Sequence, residues 1–200
     1  HKRAFAHDEG LNTGGMGPFA PSRFYTPALA GRCMKEVFQP TVAAMNAEGR
    51  PFKGVLYFGL MIDGEKVRVL EYNARFGDPE TQVVLPRMMN DLVDVFEACI
   101  DGTLDQVELE FADNAAVCVV LASDGYPEKD EKGFPISGLE KFAGKTDYFV
   151  FHAGSKRTAD GRILTNGGRV LGVTATGRDL KEARRKAYEA TQWISFENKY

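Results

Sequence analysis

The feature that most constrains the fold is a pair of strand-like segments joined by a short turn, at residues 55–73. Residues 55–62 form an apolar run with aromatic side chains, which predicts a buried strand. Asp63-Gly64 favours a tight hairpin turn, because both central positions of that turn need a positive φ angle. The return strand is predicted over residues 66–73. The sequence therefore predicts an antiparallel β-hairpin at this point.

The predicted return strand ends in a cluster of polar side chains. Because side chains alternate between the faces of a strand, Glu71 and Asn73 are expected to lie together at the end of a face that otherwise carries Val67 and Val69. A carboxylate on such a face is costly unless it is paired, hydrogen-bonded or bound to a metal. Arg75 follows at the same spacing. Acid, amide and guanidinium groups in a row favour a site for a hard cation and an anion together.

The segment after the hairpin, Gly-Asp-Pro-Glu at residues 77–80, is typical of a helix start. Asp78 is predicted to cap a short helix whose first residue is Pro79, and Pro86 is expected to interrupt that helix. The residues alone leave an alternative to a cation site open, in which Glu71 and Arg75 form a buried ion pair without a metal.

Two motifs in this region resemble a known enzyme family. Glu71-x-Asn73-x-Arg75 is similar to the metal- and phosphate-binding strand of the ATP-grasp ligases. The run Arg-Phe-Gly-Asp-Pro-Glu-Thr-Gln at residues 75–82 resembles the signature of glycinamide ribonucleotide synthetase, also called phosphoribosylamine–glycine ligase. An E-x-N motif alone is a weak signal, whereas the eight-residue run is specific, and the resemblance extends to both ends of the chain.

The resemblance implies an α+β fold with two parts. The C-terminal part of an ATP-grasp domain is expected over residues 1–104, followed by a small mixed or antiparallel β-sheet domain with a helix over residues 113–200. The polar, acidic stretch at residues 103–113 is typical of a domain boundary. The family's substrate-binding N-terminal domain and most of its adenine-binding segment have no counterpart in this sequence. The chain is therefore expected to be a fragment of a longer enzyme and to be inactive alone.

The resemblance also implies a reaction, the ATP-dependent joining of glycine to 5-phosphoribosylamine in purine biosynthesis. In this family the glycine carboxylate attacks the γ-phosphate of ATP to give an acyl phosphate and ADP, and the amine then displaces phosphate. Glu71 and Asn73 are the implied ligands of Mg²⁺ or Mn²⁺. Lys2, Arg3 and Arg75 are the implied catalytic residues, which neutralise phosphate oxygens.

A glycine-rich segment near the start of the chain, Asn-Thr-Gly-Gly-Met-Gly at residues 12–17, follows the cluster His-Lys-Arg. Glycines permit positive φ angles, so consecutive N–H groups can converge on an anion, although spacing alone favours an ordinary surface turn. Both segments match the family, and the resemblance implies a loop that closes over the phosphates and the reacting carboxyl group. The implied substrate- and phosphate-binding residues are Asn12, Thr13, Gly14, Gly15, Gly17, Gly77 and Asp78.

One departure from the wider superfamily concerns the metal. Its members often carry a second acidic ligand on the strand before E-x-N, where this chain has Tyr-Phe-Gly-Leu at residues 57–60. Asp63 and Glu65 lie at the turn instead. The second metal ligand therefore stays open.

The remaining helix signals predict helices that support the fold and carry no catalytic residues. Helices are expected over residues 26–48, with Pro40 kinking or dividing the helix, over residues 91–102, and from residues 178–179 to about 193. The predicted inward face of the second of these helices carries Leu92, Val95, Phe96, Cys99 and Ile100. The charge cluster from Lys181 to Lys186 is interpreted as a solvated helix face, since no aromatic residues are interleaved as in a nucleic-acid patch.

Strand signals dominate the second part of the chain. Strands are predicted at residues 115–122 and 148–152, and a hairpin-like region at residues 163–176 around Asn-Gly-Gly. The segments His-Ala-Gly at residues 152–154 and Thr-Asn-Gly-Gly-Arg at residues 165–169 match the family and are candidates to line the cleft. The alternative, two glycine turns and a hydrogen-bonded histidine, stays open.

Composition excludes several classes of protein. A net charge of −3 offers no general basic surface for nucleic acid, and no apolar run approaches the roughly 18 residues that a membrane helix needs. The three cysteines are scattered, which is typical of reduced cysteines in an intracellular protein and favours a cytoplasmic location. The resemblance implies that the partners are small molecules: ATP, glycine and 5-phosphoribosylamine. Two alternatives remain, another ATP-grasp acid–amine ligase and a non-catalytic module of a larger purine-pathway protein.

Overall fold

The structure is a computed structural model that describes residues 1–64 and 66–200. Its α-helices are α1 (Pro27–Cys33), α2 (Gln39–Ala47), α3 (Thr81–Val84), α4 (Leu92–Asp101) and α5 (Leu180–Thr191). Its strands are β1 (Phe19–Ala20), β2 (Tyr57–Asp63), β3 (Lys66–Asn73), β4 (Ala115–Ala122), β5 (Tyr148–His152), β6 (Ser155–Arg157), β7 (Ile163–Thr165) and β8 (Arg169–Gly177). Helices and antiparallel strands occur together, which confirms the α+β prediction.

The chain forms two compact units, and neither is one continuous segment. The unit that we call the sheet unit contains His1–Pro21, Asp78–Arg87 and Ala112–Tyr200. The unit that we call the hairpin unit contains Ser22–Gly77 and Met88–Phe111. The predicted division into residues 1–104 and 113–200 concerns family domains and stays a prediction. The compact units differ from that division, because His1–Pro21 and Asp78–Arg87 belong to the same unit as Ala112–Tyr200.

The sheet unit is built on a four-stranded antiparallel sheet in the order β1-β4-β8-β5. Strand β8 is buried along most of its length, and its side chains Val170, Leu171 and Val173 are fully covered. Helix α5 turns its small residues inward, so that Ala183 and Ala187 are also fully buried. The helix begins where predicted, and the Asp179 carboxylate caps its N-terminus by accepting a hydrogen bond from the N–H of Glu182 at 2.8 Å. The charges of this helix include two within-unit pairs, Lys186 with Asp147 and Arg185 with Glu189.

The predicted hairpin at residues 163–176 is wrong. Strand β7 pairs with β6, whereas β8 pairs with β4 on one side and β5 on the other. The physical reason is burial: β8 carries apolar or small side chains on both faces, which suits the centre of a sheet, while β6 is partly exposed. The turn between β7 and β8 therefore separates two sheets rather than joining two paired strands.

The hairpin unit contains β2 and β3, which pair as predicted with Tyr57 opposite Asn73. Strand β3 has the predicted bounds, whereas β2 extends one residue farther than expected, so Asp63 pairs with Lys66 and is not a turn residue. Gly64 lies in the turn with φ +57°, and Glu65 lies outside the described residues.

A β-bulge changes the predicted faces of the hairpin. The register shifts after Gly59, so that Gly59 lies opposite Glu71 but Leu60 lies opposite Val69. Gly59 and Leu60 are neighbours on β2 and point to opposite faces. Their partners on β3, Glu71 and Val69, therefore also lie on opposite faces. Glu71 and Asn73 therefore share a face, as predicted, but Val67 and Val69 lie on the other face. The prediction that the two valines accompany the polar pair is wrong.

The helical part of the hairpin unit follows the sequence signals. Thr26 accepts a hydrogen bond from the N–H of Leu29 through its hydroxyl, which caps α1. A wide π-helical turn, Met34–Phe38, separates α1 from α2 just before Pro40, which confirms the predicted interruption. Phe38 packs on Phe58 of β2 with ring centres 4.5 Å apart.

Helix α4 begins and ends as predicted, but one part of its predicted inward face is exposed. Asp91 caps it through a 2.8 Å hydrogen bond to the N–H of Val93, and Gly102 ends it with φ +76°. Ala98 is buried, whereas Phe96 is 42% and Ile100 70% exposed. None of the helices in residues 1–64 and 66–200 combines the length and apolar composition that a membrane span requires.

Candidate functional site

The end of strand β3 brings Glu71 and Asn73 onto one face of the hairpin. Gly59, directly across from Glu71 on β2, leaves room for the carboxylate. A Cβ atom at Gly59 would lie 2.8 Å from Cγ of Glu71 and 3.4 Å from its Oε1. Any larger residue at position 59 would therefore displace the Glu71 side chain. The sequence pointed to this strand, because this chain has no acid there where members of the wider superfamily often carry one, but it did not predict the role of the glycine.

Arg75 lies just past the strand and interacts with the same row of side chains. Its Nη2 donates to Oδ1 of Asn73 at 3.0 Å, and its Nη1 donates to the carbonyl oxygen of Phe76 at 2.7 Å. Glu71 and Arg75 are both exposed. The alternative of a buried ion pair between them is therefore wrong.

The donor set at the end of β3 suits a hard divalent cation. A carboxylate and an amide oxygen lie on one face at the end of β3, and Gly59 leaves space for the side chain that carries the carboxylate. Mg²⁺ is bound through few protein oxygens because it keeps several of its waters. Within the described ranges, no group of three or more His, Cys, Asp or Glu side chains is placed to hold a metal. Asp63 is four residues from Gly59 along β2, roughly 13 Å away, and does not lie beside Glu71.

The glycine-rich loop, residues 12–17, pairs with the first residues of the chain. The N–H of Thr13 donates to the carbonyl oxygen of Lys2 at 2.6 Å, and the N–H of Met16 donates to that of His1 at 2.8 Å. Arg3 forms a β-bridge with Asn12. The structure therefore brings the two N-terminal sequence motifs together within the sheet unit.

The backbone N–H groups of residues 13–16 donate to protein acceptors. Besides those of Thr13 and Met16, the N–H of Gly14 donates to the Tyr126 hydroxyl at 3.2 Å and that of Gly15 to the Thr13 hydroxyl at 3.0 Å. The expected anion nest is therefore not preformed. Binding of an anion by these N–H groups requires that the loop exchange these hydrogen bonds for bonds to the anion.

Each glycine of the loop lies close to a different neighbour. A Cβ atom at Gly14 would lie 2.8 Å from the guanidinium carbon of Arg169, and one at Gly15 would lie 2.7 Å from Cδ of Pro79. Gly17 has φ +150°, and a Cβ atom there would lie 2.3 Å from the carbonyl oxygen of Cys118 in β4. The glycines of the motif therefore allow three close contacts with neighbouring residues, in addition to making the loop flexible.

Asp78 has a role that the sequence did not predict. Helix α3 begins at Thr81, so the prediction that Asp78 caps a helix starting at Pro79 is wrong. The Asp78 carboxylate instead accepts hydrogen bonds from Gln82 Nε2 at 2.9 Å and from Arg169 Nη2 at 3.1 Å. The side chain is therefore tied to β8 and to Gln82 of α3. Gly77 just before it is buried.

Arg169 is the site residue that sequence reasoning missed as an individual. It is the first residue of β8 and contacts both the glycine-rich loop and Asp78. The only available signal was the match of residues 165–169 to the family. Motifs that lie more than 90 residues apart in sequence meet at one guanidinium group, and no spacing rule predicts such a meeting.

The two glycine turns before β8 pack against each other. A Cβ atom at Gly154 would lie 2.7 Å from the Cα atom of Gly167, and the N–H of Asn166 donates to the carbonyl oxygen of Gly154 at 2.7 Å. His152 is exposed, and its Nδ1 lies 2.7 Å from the hydroxyl of Ser155. These contacts agree with the structural alternative for the two segments. Cys118 beneath the glycine-rich loop is equally structural, since burial raises the pKa of its thiol to about 12.

The candidate residues divide between the two units. Those of the sheet unit are Lys2, Arg3, Asn12, Thr13, Gly14, Gly15, Gly17 and Asp78, and those of the hairpin unit are Glu71, Asn73, Arg75 and Gly77. Within each unit the structure brings candidates together: the N-terminal motifs and Asp78 in one, and the row along the end of β3 in the other.

Comparison with known proteins identifies relatives over nearly the whole chain. The phosphoribosylamine–glycine ligase of Neisseria meningitidis serogroup A is 50% identical over 198 residues, which are 98% of this chain and 46% of the relative. That of Caldanaerobacter subterraneus is 46% identical over 200 residues, covering all of this chain and 47% of the relative. The chain thus spans about half the length of the curated relatives that it matches.

Solved structures give the same result. The crystal structure of phosphoribosylamine–glycine ligase from Thermotoga maritima matches with a TM-score of 0.86 and 38% identity, over 99% of this chain and 48% of that one. The biotin carboxylase domain of a thermophilic 2-oxoglutarate carboxylase shares the fold, with a TM-score of 0.61 at 16% identity over 92% of this chain.

Two family matches cover most of the sequence. Residues 1–81 match the phosphoribosylglycinamide synthetase ATP-grasp (A) domain, and residues 116–200 match the C domain of the same family. The chain belongs to the phosphoribosylglycinamide synthetase family.

Proposed function

We propose that the full-length protein containing this chain is an ATP-dependent ligase that joins glycine to 5-phosphoribosylamine. The observation that carries this proposal is the row of acid, amide and guanidinium groups at the end of β3, with Glu71 and Asn73 on one face and Arg75 bonded to Asn73. The relatives named phosphoribosylamine–glycine ligase support the substrate pair. The proposed partners are ATP, the two substrates and the remainder of the same polypeptide, in the cytoplasm.

Glu71 and Asn73 are the residues that would hold the divalent cation, Mg²⁺ or Mn²⁺. Bound there, the cation supplies positive charge that neutralises phosphate oxygens as the phosphoryl group is transferred. The charge of Glu71 would attract the cation. Gly59 leaves space for the Glu71 side chain, which a larger residue would displace. Asn73 contributes a neutral oxygen whose direction is set by Arg75.

Arg75 is proposed to bind phosphate as well as to orient Asn73. Its planar guanidinium group can donate two parallel hydrogen bonds to an anion, which an ammonium group cannot do. Lys2 and Arg3 add positive charge beside the glycine-rich loop, and Arg3 is held by a 2.7 Å hydrogen bond to the carbonyl oxygen of Gly10. Their proposed role is to neutralise the negative charge that develops on the phosphates.

The glycine-rich loop is proposed to bind substrate or phosphate after a local rearrangement. The N–H groups of residues 13–16 donate to protein acceptors here, and two of those acceptors are hydroxyl groups, of Thr13 and Tyr126. Hydroxyl groups can rotate and change partners at small cost. We therefore propose that Gly14 and Gly15 release these hydroxyls when an anion arrives, while Gly17 stays fixed against β4.

A product assay on the full-length protein tests the function. The protein is incubated with Mg-ATP, glycine and 5-phosphoribosylamine, and glycinamide ribonucleotide is measured by mass spectrometry together with ADP. We expect product that depends on both substrates. Product formed only with a different acid or amine would instead indicate another ATP-grasp ligase. If no pair gave product or ADP, the protein would be a non-catalytic module.

Substitution of Arg75 by lysine separates a catalytic from a structural arginine. Because lysine keeps the charge and loses the fork, we expect kcat of the full-length protein to fall about tenfold, which is about 1.4 kcal/mol. Arg75 is exposed, so the free energy of unfolding should change by about 1 kcal/mol or less. Steady-state kinetics and thermal unfolding on one preparation provide both numbers. A large loss of stability with normal kcat per folded molecule would make Arg75 a structural residue.

A further inference from the structure

Arg169 makes an unusual set of hydrogen bonds for an arginine near the surface. Its Nη1 donates to the carbonyl oxygens of Gly14 at 3.0 Å, Gly15 at 3.3 Å and Asp78 at 3.4 Å. Its Nη2 donates to Oδ2 of Asp78 at 3.1 Å. The Arg169 side chain is 22% exposed and that of Asp78 54%. One guanidinium group thus joins the backbone of the glycine-rich loop to the backbone and side chain of the segment before α3.

The glycines of the loop leave space for the neighbours in this arrangement. A Cβ atom at Gly14 would lie 2.8 Å from both Cζ and Nη2 of Arg169, so a methyl group there would require the guanidinium to leave its present position. On the other side of the loop, Gly15 lies against Pro79, which directly follows Asp78. The loop is therefore held between Arg169 and Pro79, and the two contacts fix its position relative to the Asp78 segment.

The sheet does not need the Arg169 side chain. The backbone of Arg169 pairs with Ala122 at the end of β4, and this pairing is independent of the side chain. The hydrophobic core around β8 begins at the next residue, Val170. The guanidinium group donates its hydrogen bonds to a loop and a turn that contain candidate substrate- and phosphate-binding residues, and not to the core.

We propose that Arg169 is a positioning residue that fixes the glycine-rich loop against Asp78 and so sets the loop in place for the reaction. The kinetic part of this inference rests on the proposed ligase function. Arg169 acts through the loop and need not touch substrate. Lysine is expected to replace it poorly, because a single ammonium group cannot reach both the loop carbonyls and the carboxylate with fixed geometry.

Hydrogen exchange tests the positioning directly and does not depend on activity. In the full-length protein, Arg169→Ala should increase the exchange rates of the N–H groups of residues 12–17 by about tenfold or more, as their hydrogen bonds open more often. Peptides from the centre of β4 should exchange as in the wild type. Arg162→Ala is the matched control, since Arg162 also pairs with an aspartate, Asp160 at 2.8 Å, but on an exposed turn. It should leave the loop unchanged.

Kinetics provide the second part of the test. Arg169→Ala is expected to lower kcat about tenfold, since small displacements of positioned groups slow catalysis strongly. Guanidinium ion at millimolar, non-denaturing concentration should restore part of the loss in Arg169→Ala but not in Arg169→Lys, whose side chain fills the space. Normal loop exchange together with normal kcat in both variants would overturn the proposal.

A double variant keeps the proposal testable if Arg169→Ala folds poorly. Gly14→Ala should raise loop exchange and lower kcat in the wild-type background, because the added methyl group meets the guanidinium at 2.8 Å. In the Arg169→Lys background the same change should cost less, since the branched end of the side chain is gone. Equal effects in the two backgrounds would contradict the proposal. If the wild type forms no product, the ligase function fails, whereas the exchange results still decide the role of Arg169.

Discussion

Glu71→Gln in the full-length protein is expected to lower kcat by about two orders of magnitude or more. Glutamine keeps the size and shape of the side chain, so the space above Gly59 is filled as before. It removes the negative charge that attracts the divalent cation, and the charge stabilisation that such a cation supplies is worth several kcal/mol. Asn73→Ala should cause a smaller loss, because it removes a neutral oxygen. Steady-state kinetics over a range of Mg²⁺ concentrations measure both effects.

The matched control for Glu71 is Glu97→Gln, at an exposed position on α4 in the same unit. It should leave kcat and the dependence on Mg²⁺ unchanged. If Glu71→Gln turned over at a near-normal rate with an unaltered requirement for Mg²⁺, Glu71 would not be a metal ligand. Thermal unfolding of each variant shows whether the fold is retained, which we expect because Glu71 is exposed.

Gly17→Ala is expected to destabilise the chain by about 2 kcal/mol or more. Two costs add: φ +150° is a conformation that alanine rarely adopts, and the new methyl carbon would lie 2.3 Å from the backbone oxygen of Cys118. That oxygen belongs to β4 and cannot move without disturbing the sheet. The hydrogen bond from the N–H of Val120 to the carbonyl oxygen of Met16, now 3.1 Å, should be lost as the loop moves away. Denaturant titration measures the loss.

The control for Gly17 is the same chemical change at Gly31 in helix α1. Nothing lies within 4 Å of a Cβ atom at Gly31, and its φ angle is not positive. Gly31→Ala should therefore stabilise the chain by about 0.5–1 kcal/mol, because alanine favours the helix. Equal effects at the two positions would show that the close approach of the loop to β4 has no energetic weight.

The hairpin shows how far local sequence determines structure in this chain. The apolar run and alternation gave the strands to within two residues, because residues that are close in sequence make the pairs. The bulge after Gly59 was not predicted. Beside the bulge, Phe58 packs on Phe38 and Glu71 lies over Gly59. Period-two reasoning assumes a regular ladder and therefore assigned Val67 and Val69 to the wrong face.

Contacts between distant segments explain the other failures. Strand β8 follows β7 closely, so a hairpin was the simplest prediction, but burial of both faces places β8 at the centre of another sheet. The capping pattern at Asp78 was sound as local chemistry. Arg169, from a segment 91 residues away, competes for the same carboxylate. A charged partner of this kind outweighs a local cap, and nothing near Asp78 in sequence indicates that partner.

The central claim is that the full-length protein activates the carboxylate of glycine with ATP, and labelled oxygen tests it most directly. The protein is supplied with Mg-ATP, 5-phosphoribosylamine and glycine that carries oxygen-18 in its carboxyl group, and the inorganic phosphate released is analysed by mass spectrometry. If the carboxylate attacks the γ-phosphate and the amine then displaces phosphate, one labelled oxygen passes from glycine to each phosphate formed. Unlabelled phosphate, or phosphate release that does not require glycine, would contradict the account.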